Sequence, residues 1–486
     1  MTTKYDMVVI GGGAAGLTAA GMSAVLGART ALISENKLGG DCTWQGCIPS
    51  KSLLKAAKVA HEMRSAAKYG LEPANNSHEW TRIVERVHAI REHVYEGADA
   101  PPNMEKLGVE VIAAQARFLD RNSVGVASSG IAGSRVLTSR YFIIATGSRP
   151  EIPKIEGIES VPVLTNETLF ELKERPRRLL VLGAGPVGVE MAQAFQRLGS
   201  AVTVVGRSAR ILEHDDGELA AMLKQCLEGE GIRLRLGEEV ERFEQGVAHL
   251  KSGETVPLDA VLAATGRRPN IESLELQAAG IRATEKGITV DGHCRTDVKN
   301  IFACGDVTGK FLFTHMAEHT AKVAAMNAIL RIPASRKDDQ VAWCTFTDPE
   351  LAHAGKGEEE LRKRGEKFQV YRFPFSRLDR AITESESAGL VKVFANSRGK
   401  VLGASILGAS AGEMIAEYAL AIREKVGLGA ISSTIHPYPT YALGNRRAAD
   451  IYASSVLTPS RVTWIRRLLR LRGSTKGILN LPHSTN

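Results

Sequence analysis

Nowhere in its 486 residues does the chain run apolar for long enough to cross a bilayer. Its opening, Met1 to Asp6, is too short and polar for a secretory leader before the apolar run Met7–Ile10 begins. A cytoplasmic protein is therefore expected. Cysteine is scarce: six in a chain of this length do not make the dense disulfide scaffold of a small secreted domain. A close pair of cysteines in such a chain points to catalysis or metal binding instead. No nucleic-acid motif is present. The formal net charge is +8, but the basic residues concentrate in the tail, so no nucleic-acid partner is expected.

What is present is an ordinary globular composition, 44% hydrophobic and 24% charged, long enough for roughly three domains. An apolar strand, Met7–Ile10, runs into Gly11-Gly12-Gly13-Ala14-Ala15-Gly16. A helical pattern follows from Leu17 to about Leu26, then a strand, Thr30–Ser34, that ends on Glu35. The unit recurs: strand Leu179–Leu182, Gly183-Ala184-Gly185-Pro186-Val187-Gly188, a helix to about Leu198, and strand Ala201–Val205. Such an internal repeat predicts two Rossmann-type dinucleotide-binding domains. Ala145-Thr146-Gly147 closes the first half and Ala264-Thr265-Gly266 the second. A linker rich in Pro, Gly and charge, Arg149 to Pro162, suits a domain boundary. After Gly266 the chain is expected to return to the first domain. Val341 to Val456 alternates strands and helices without a dinucleotide motif, which predicts a third domain.

Each glycine loop stands between a strand and a helix, the context its chemistry requires. Gly11 and Gly183 permit the tight turn, Gly13 and Gly185 let backbone approach a pyrophosphate, and Gly16 and Gly188 let the helix pack on the strand. The helix N-terminus then presents free N–H groups and a favourable dipole to the phosphates. Glu35 lies 19 residues beyond Gly16, where a carboxylate accepts from both ribose hydroxyls of an adenosine. The same position after Gly188 is Arg207, with Gly206 leaving space beside it. An arginine there suits a 2′-phosphate, so NADPH is expected, with NADH the alternative and Arg210 placed to assist. The plain reading of Arg207 is a solvated strand-end residue.

Gly39-Gly40-Asp41-Cys42-Thr43-Trp44-Gln45-Gly46-Cys47-Ile48-Pro49-Ser50-Lys51 follows. Four intervening residues predict cysteines about one helical turn apart, close enough for a disulfide. The turn starts just after glycines, so its N-terminus favours thiolate. Zinc would need two further Cys or His ligands at short spacing, and none is near, so no resident metal is expected. Two inert buried cysteines are the remaining reading.

This segment resembles the active-site motif of the class I pyridine nucleotide–disulfide oxidoreductases, which include dihydrolipoyl dehydrogenase, glutathione reductase and mercuric reductase. The resemblance runs from about residue 4 to 458. It takes in both glycine loops, both Ala-Thr-Gly segments, Ile301-Phe302-Ala303-Cys304-Gly305-Asp306 and Phe346-Thr347-Asp348-Pro349-Glu350. It implies an α/β fold with two Rossmann-type domains and an α+β dimerisation domain. The expected limits are an FAD-binding domain at 1–150 and 271–340, a nicotinamide-nucleotide domain at 151–270, a dimerisation domain at 341–460 and a basic tail at 461–486. It implies a homodimer with FAD. Cys47 would be the thiolate against the flavin, Cys42 the thiol that meets substrate, and Asp306 a partner of the FAD ribitol. Lys51 would lie near the flavin and pair with Glu190. Gly11, Gly13, Ala14, Ala15, Gly16, Glu35, Gly40, Asp41, Lys51, Thr146, Gly147, Gly305 and Asp306 are the candidates for FAD. Gly183, Gly185, Val187, Gly188, Arg207 and Gly266 are those for the nicotinamide nucleotide. Cys226, Cys294, Cys304 and Cys344 have no partner pattern and read as structural.

The resemblance breaks near the C-terminus. Disulfide and dithiol reductases of this family carry a proton-shuttling histidine before Pro-Thr and a glutamate a few residues on. Here the run is His436-Pro437-Tyr438-Pro439-Thr440-Tyr441-Ala442-Leu443, with Tyr438 and Leu443 in those two positions. His436 lies two residues from the position of the base. A tyrosine hydroxyl, with an ordinary pKa of about 10, shuttles protons poorly at neutral pH. Mercuric reductases also carry tyrosine there, because a soft metal ion asks for thiolates rather than a proton shuttle. The vicinal cysteine pair of true mercuric reductases is missing from the run Leu479 to Asn486, and their N-terminal metal-carrier domain is not expected here. The expected reaction therefore passes electrons from NADPH through FAD and the Cys42–Cys47 disulfide to a small-molecule acceptor: a disulfide, a metal ion or a quinone. A dihydrolipoyl dehydrogenase-like or glutathione reductase-like enzyme, a diaphorase and a non-enzymatic redox sensor are the alternatives. In the tail, Trp464, Ile465, Leu468, Leu469 and Leu471 interleave with Arg466, Arg467, Arg470 and Arg472. A frayed helix end is favoured there over contact with an anionic membrane.

Overall fold

The computed structural model describes residues 3–74, 79–127 and 135–472. Its first sheet sets Val109–Ala113, Thr30–Ser34, Thr3–Ile10 and Arg135–Ile144 side by side in parallel. Within them Met7–Ile10, Ala31–Ile33 and Phe142–Ile144 are unbroken buried apolar runs, as strands covered on both faces are. Arg135–Ile144 forks the sheet: its last residues pair in parallel with Ile301–Ala303, and its first residues pair antiparallel with Ser123–Ala127. The second sheet is wholly parallel, in the order Arg233–Leu236, Ala201–Gly206, Arg178–Leu182, Ala260–Ala263, Val163–Leu164. The third is a five-stranded antiparallel sheet from Ala342 to Gly408, backed by the helices Ala411–Arg423 and Leu443–Val456.

The repeat seen in the sequence is a repeat in space. Gly11 and Gly183 both turn through positive φ, 111° and 108°, and a Cβ on either would fall 2.3 Å from the carbonyl oxygen of Ala145 or Ala264. A Cβ on Gly16 or Gly188 would strike the carbonyl oxygen of Gly11 or Gly183. The alanines of the two Ala-Thr-Gly segments donate their N–H to Ile10 and Leu182, at 2.7 and 2.8 Å. So the second signature fixes the floor of the glycine turn. Both loops open at the carboxyl ends of their strands, where ligands bind in such sheets.

Between the two units the chain crosses twice, and the crossings run together: Ser148–Pro150 pairs antiparallel with Arg267–Pro269. One apolar core also runs through all three units. Leu53 and Ala57 of the helix Cys47–Arg64 share it with Val189 and Phe195 of the helix Pro186–Arg197, and with Leu351 and Leu407 of the third sheet. Ion pairs reinforce that junction. Arg197, buried, is held by Glu230 at 2.7 Å and by Asp348 at 2.8 Å, and Asp348 also takes Lys58 at 3.0 Å. Burial raises the Asp348 carboxyl, but Arg197 and Lys58 outweigh it and leave its pKa below the ordinary value. Lys392, buried in the third sheet, pairs with Asp216, Glu218 and Glu358 at 2.8–2.9 Å, and so ties the second unit to the third.

Removing one partner from a buried ion pair strands the other. Asp348→Ala is therefore expected to cost about 3 kcal/mol, seen by calorimetry as a lower unfolding temperature of the holoenzyme. An unchanged midpoint would show that Glu230 alone satisfies Arg197.

Candidate active site

A cavity of about 1850 Å³ runs from the first glycine loop to the cysteine pair and on to the third unit. Its far end is lined by Gly11, Gly13, Ala14 and Ala15, with Glu35 beyond. The helix Ala14–Val25 starts there with Gly13 as its cap, no side-chain cap and no acidic residue in its first turn. Its first N–H groups therefore face the cavity without a protein acceptor from any side chain, which suits a pyrophosphate. Gly39 and Gly40 bring the cysteine segment against that loop through a bridge between Gly13 and Gly39. Thr146, Gly147, Gly305 and Asp306 line the middle. Asp306 accepts from Ser148 Oγ at 2.8 Å, and Ser148 in turn accepts from Arg267 Nε at 2.7 Å. Among the described residues the second carboxylate oxygen of Asp306 receives no hydrogen bond, which leaves it for a hydroxyl donor. Burial raises the Asp306 carboxyl against the pull of Ser148 and Arg267. Asp41 accepts from Asn166 Nδ2 at 2.7 Å and lies 3.4 Å from Arg267. A glycine cradle, the Glu35 carboxylate and an open acceptor oxygen on Asp306 in one continuous cavity fit FAD.

The cysteines differ from the expected single turn. Cys42 lies on the short helix Gly40–Trp44, whereas Cys47 is the first residue of the helix Cys47–Arg64. Gly46, at φ −124° and ψ −105°, breaks the helical path between them. The thiols still meet, since the two side chains are hydrogen-bonded to each other. Cys47 therefore occupies the N-terminus of an 18-residue helix, where the dipole favours a negative sulfur. Its thiol pKa is held well below the ordinary value. The hydrogen bond from Cys42 lowers it most. Burial opposes, and Thr314 and Lys51 add to the lowering. The Cys42 thiol is raised, chiefly because it donates to Cys47. One proton is thus shared unequally: Cys42 keeps it and Cys47 carries the charge. Thr314 Oγ1 stands 3.2 Å from Cys47 Sγ.

Lys51 Nζ meets Glu190 Oε2 at 2.9 Å, and Phe346 donates its backbone N–H to Glu190 Oε1 at 2.9 Å. The Lys51 ammonium also lies 4.4 Å from the centre of the Phe346 ring. Three units thus converge on one buried carboxylate beside the cysteines. Val187 lines the same cavity.

Other candidates stand apart. Gly183, Gly185 and Gly188 build the second glycine loop, whose helix Pro186–Arg197 again has no side-chain cap and no acid in its first turn. Arg207 follows the strand Ala201–Gly206; its side chain is 75% exposed and 3.8 Å from Glu239. Arg210 pairs with Glu359 at 2.9 Å and donates to the Glu213 carbonyl. Gly266 accepts from Glu151 N beside the two crossings. Tyr438 is 68% exposed and does not line the cavity of its own chain. Leu443 is buried in the third core, and His436 is buried against Glu417 at 3.1 Å. Burial raises the thiols of Cys226, Cys294, Cys304 and Cys344, of which Cys304 and Cys344 line the cavity. The run Leu479–Asn486 lies outside the described residues. Thr314, Ser148, Arg267 and Asn166 carry no motif of their own; only their contacts reveal them.

Residues 5–326 match the family described as pyridine nucleotide-disulphide oxidoreductase, and residues 341–448 match its dimerisation domain. A mercuric reductase of Lysinibacillus sphaericus is 32% identical over 92% of this chain and 82% of its own length. A dihydrolipoyl dehydrogenase of Chlamydia muridarum is 32% identical over 94% of this chain and 97% of its own. The Cu(II) complex of the HOCl-induced flavoprotein disulfide reductase RclA from Escherichia coli superposes with a TM-score of 0.80 at 29% identity, covering 92% of this chain and 99% of that one. Among the described residues no helix is long and apolar enough to cross a membrane.

With its pKa lowered, Cys47 stays thiolate as pH falls through the ordinary thiol range near about 8.5, and is protonated only at lower pH. Cys42→Ala, Thr314→Val and Lys51→Met are each expected to move that protonation upward, Cys42→Ala the most. The measurement is the pH dependence of Cys47 alkylation in reduced enzyme, followed by mass spectrometry. A midpoint that Cys42→Ala leaves in place would refute the shared proton.

Proposed function

Because this chain belongs to the pyridine nucleotide-disulphide oxidoreductase family, we propose that it carries electrons from NADPH through the Cys42–Cys47 pair to a thiophilic metal ion. The protein is an FAD-dependent oxidoreductase that uses NAD(P)H, and it is a homodimer. The domain limits given above, the roles of individual residues, the preference for NADPH, the acceptor and a cytoplasmic location are our reading.

FAD, held by the residues named above, would supply the redox relay between the nicotinamide and the sulfur pair. The chain's own residues prepare each end. The first N–H groups of the helix Ala14–Val25 bind the pyrophosphate, Glu35 the adenosine ribose and Asp306 a ribitol hydroxyl. Lys51, fixed by Glu190, sets a positive charge beside the flavin site and helps hold Cys47 as thiolate. Cys42 keeps the proton until substrate arrives. A soft cation displaces that proton and is then gripped by two thiolates. For Hg(II) the balance is NADPH plus Hg(II) giving NADP⁺, Hg(0) and one proton; for Cu(II), two ions are reduced to Cu(I).

The observation that carries this reading is that a phenol and a leucine stand at the two positions of the family's proton-shuttling pair. A disulfide substrate must be given a proton as its first thiol leaves, and a metal ion need not be. Tyr438 stands exposed in the position of the base, and Leu443, the position of its supporting carboxylate, is a core residue. The mercuric reductases and the Cu(II) complex of RclA are consistent with a metal acceptor. A dihydrolipoyl dehydrogenase-like reaction rests on similarity alone.

The test is NADPH oxidation with Hg(II), Cu(II), lipoamide, glutathione disulfide and a quinone. Metal-dependent turnover is expected to exceed disulfide turnover, and Cys42→Ala to abolish it while NADPH still bleaches the flavin. Faster turnover of lipoamide would overturn the assignment. For the coenzyme, Arg207→Leu is expected to raise the KM for NADPH roughly tenfold, the loss of a charge-assisted contact, and to leave that for NADH in place. Equal efficiency of the parent with both nucleotides would sink the NADPH reading.

A further inference from the structure

The helix Pro459–Leu468 follows the third unit and buries none of its residues. It starts for local reasons: Pro459 stands in its first turn, and the Thr458 hydroxyl accepts from Arg461 N at 3.3 Å. A ten-residue helix is marginal in water by itself, so its stability depends on a surface. One side has one: Val462, Ile465 and Arg466 are half-buried against the body. The other side has none. Trp464 is 64% exposed and Leu468 63%, four residues apart and hence on one face. Leu469 and Leu471 continue the apolar exposure past the helix end.

Charge surrounds these side chains. Between residues 459 and 472 there are five arginines, at 461, 466, 467, 470 and 472, and no acid. Among the described residues none of the five makes an ion pair with a carboxylate. A second copy of the chain placed on this face by a two-fold axis would set arginine against arginine and raise the electrostatic cost. A polyphosphate backbone would use the charge but leave exposed tryptophan and leucine unexplained. A bilayer with anionic headgroups uses both.

We propose that the helix Pro459–Leu468 and the turn after it dock on the surface of an anionic phospholipid bilayer. Trp464 and Leu468 enter the headgroup–acyl boundary and the arginines lie among the lipid phosphates. The contact is peripheral: ten residues rise about 15 Å, half the thickness of a hydrocarbon core. It holds the oxidoreductase at a membrane face by a device separate from its electron-transfer site.

The experiment is flotation of the full-chain holoenzyme with vesicles of phosphatidylcholine alone or of phosphatidylcholine with phosphatidylserine. Binding is expected to the second only, and to weaken with salt. The triple variant R467Q/R470Q/R472Q should lower partitioning on the order of a hundredfold, at about fivefold for each charge. The double variant W464A/L468A should lower it as well, with NADPH oxidation in solution unchanged. Equal flotation with both vesicles, or no flotation with either, overturns the proposal. So does parental binding by W464A/L468A, which would reduce the effect to diffuse charge. A change of oligomeric state in either variant, read by analytical ultracentrifugation, would assign the face to contact between copies instead.

Discussion

Everything at the centre of this molecule is arranged around one carboxylate. Glu190 sits on the helix that follows the second glycine loop, yet it takes its hydrogen bonds from the other two units, from Lys51 and from the backbone of Phe346. A buried carboxylate without such donors would be costly. Its satisfaction therefore demands that all three units sit in register. The ionic network of Arg197, Glu230, Asp348 and Lys58 repeats the same demand further along the same two helices. The apolar core shared by Leu53, Val189 and Leu351 supplies the driving force, and the polar groups supply the alignment.

That alignment gives the cysteine pair its asymmetry. Two thiols in a symmetric setting would share a proton evenly. Here Cys47 begins an 18-residue helix and feels Lys51, whereas Cys42 shares only the Thr314 hydroxyl and is raised by its donation to Cys47 and by burial. The charge settles on Cys47, and Cys42 keeps the proton. At the family's shuttle position the same rigid frame holds a phenol, and at the supporting position a leucine.

What the sequence disclosed follows the range of each interaction. The glycine loops and Ala-Thr-Gly segments were readable because their geometry is enforced by neighbours or by a repeat. Their strands were placed to within a residue at the turns, and the helix after the first loop begins at Ala14, three residues earlier than periodicity indicated. The cysteine segment was readable in chemistry but not in shape: spacing predicts one turn, and Gly46 divides it in two. Thr314 lies 267 positions from Cys47, Asp348 lies 151 from Arg197, and Arg267 lies 119 from Ser148. No local pattern announces such partners. Tyr438 and Leu443 were informative for the opposite reason, as departures from an expected pair.

The paired crossings, Ser148–Pro150 against Arg267–Pro269, bear on how such a protein can change over time. The entrance and exit of the middle unit are hydrogen-bonded neighbours, so the chain enters and leaves it at one place, while Glu190, Arg197 and Lys392 fasten it to its host elsewhere. A different unit with the same two strands and fastenings could be grafted without reopening the host's own sheet.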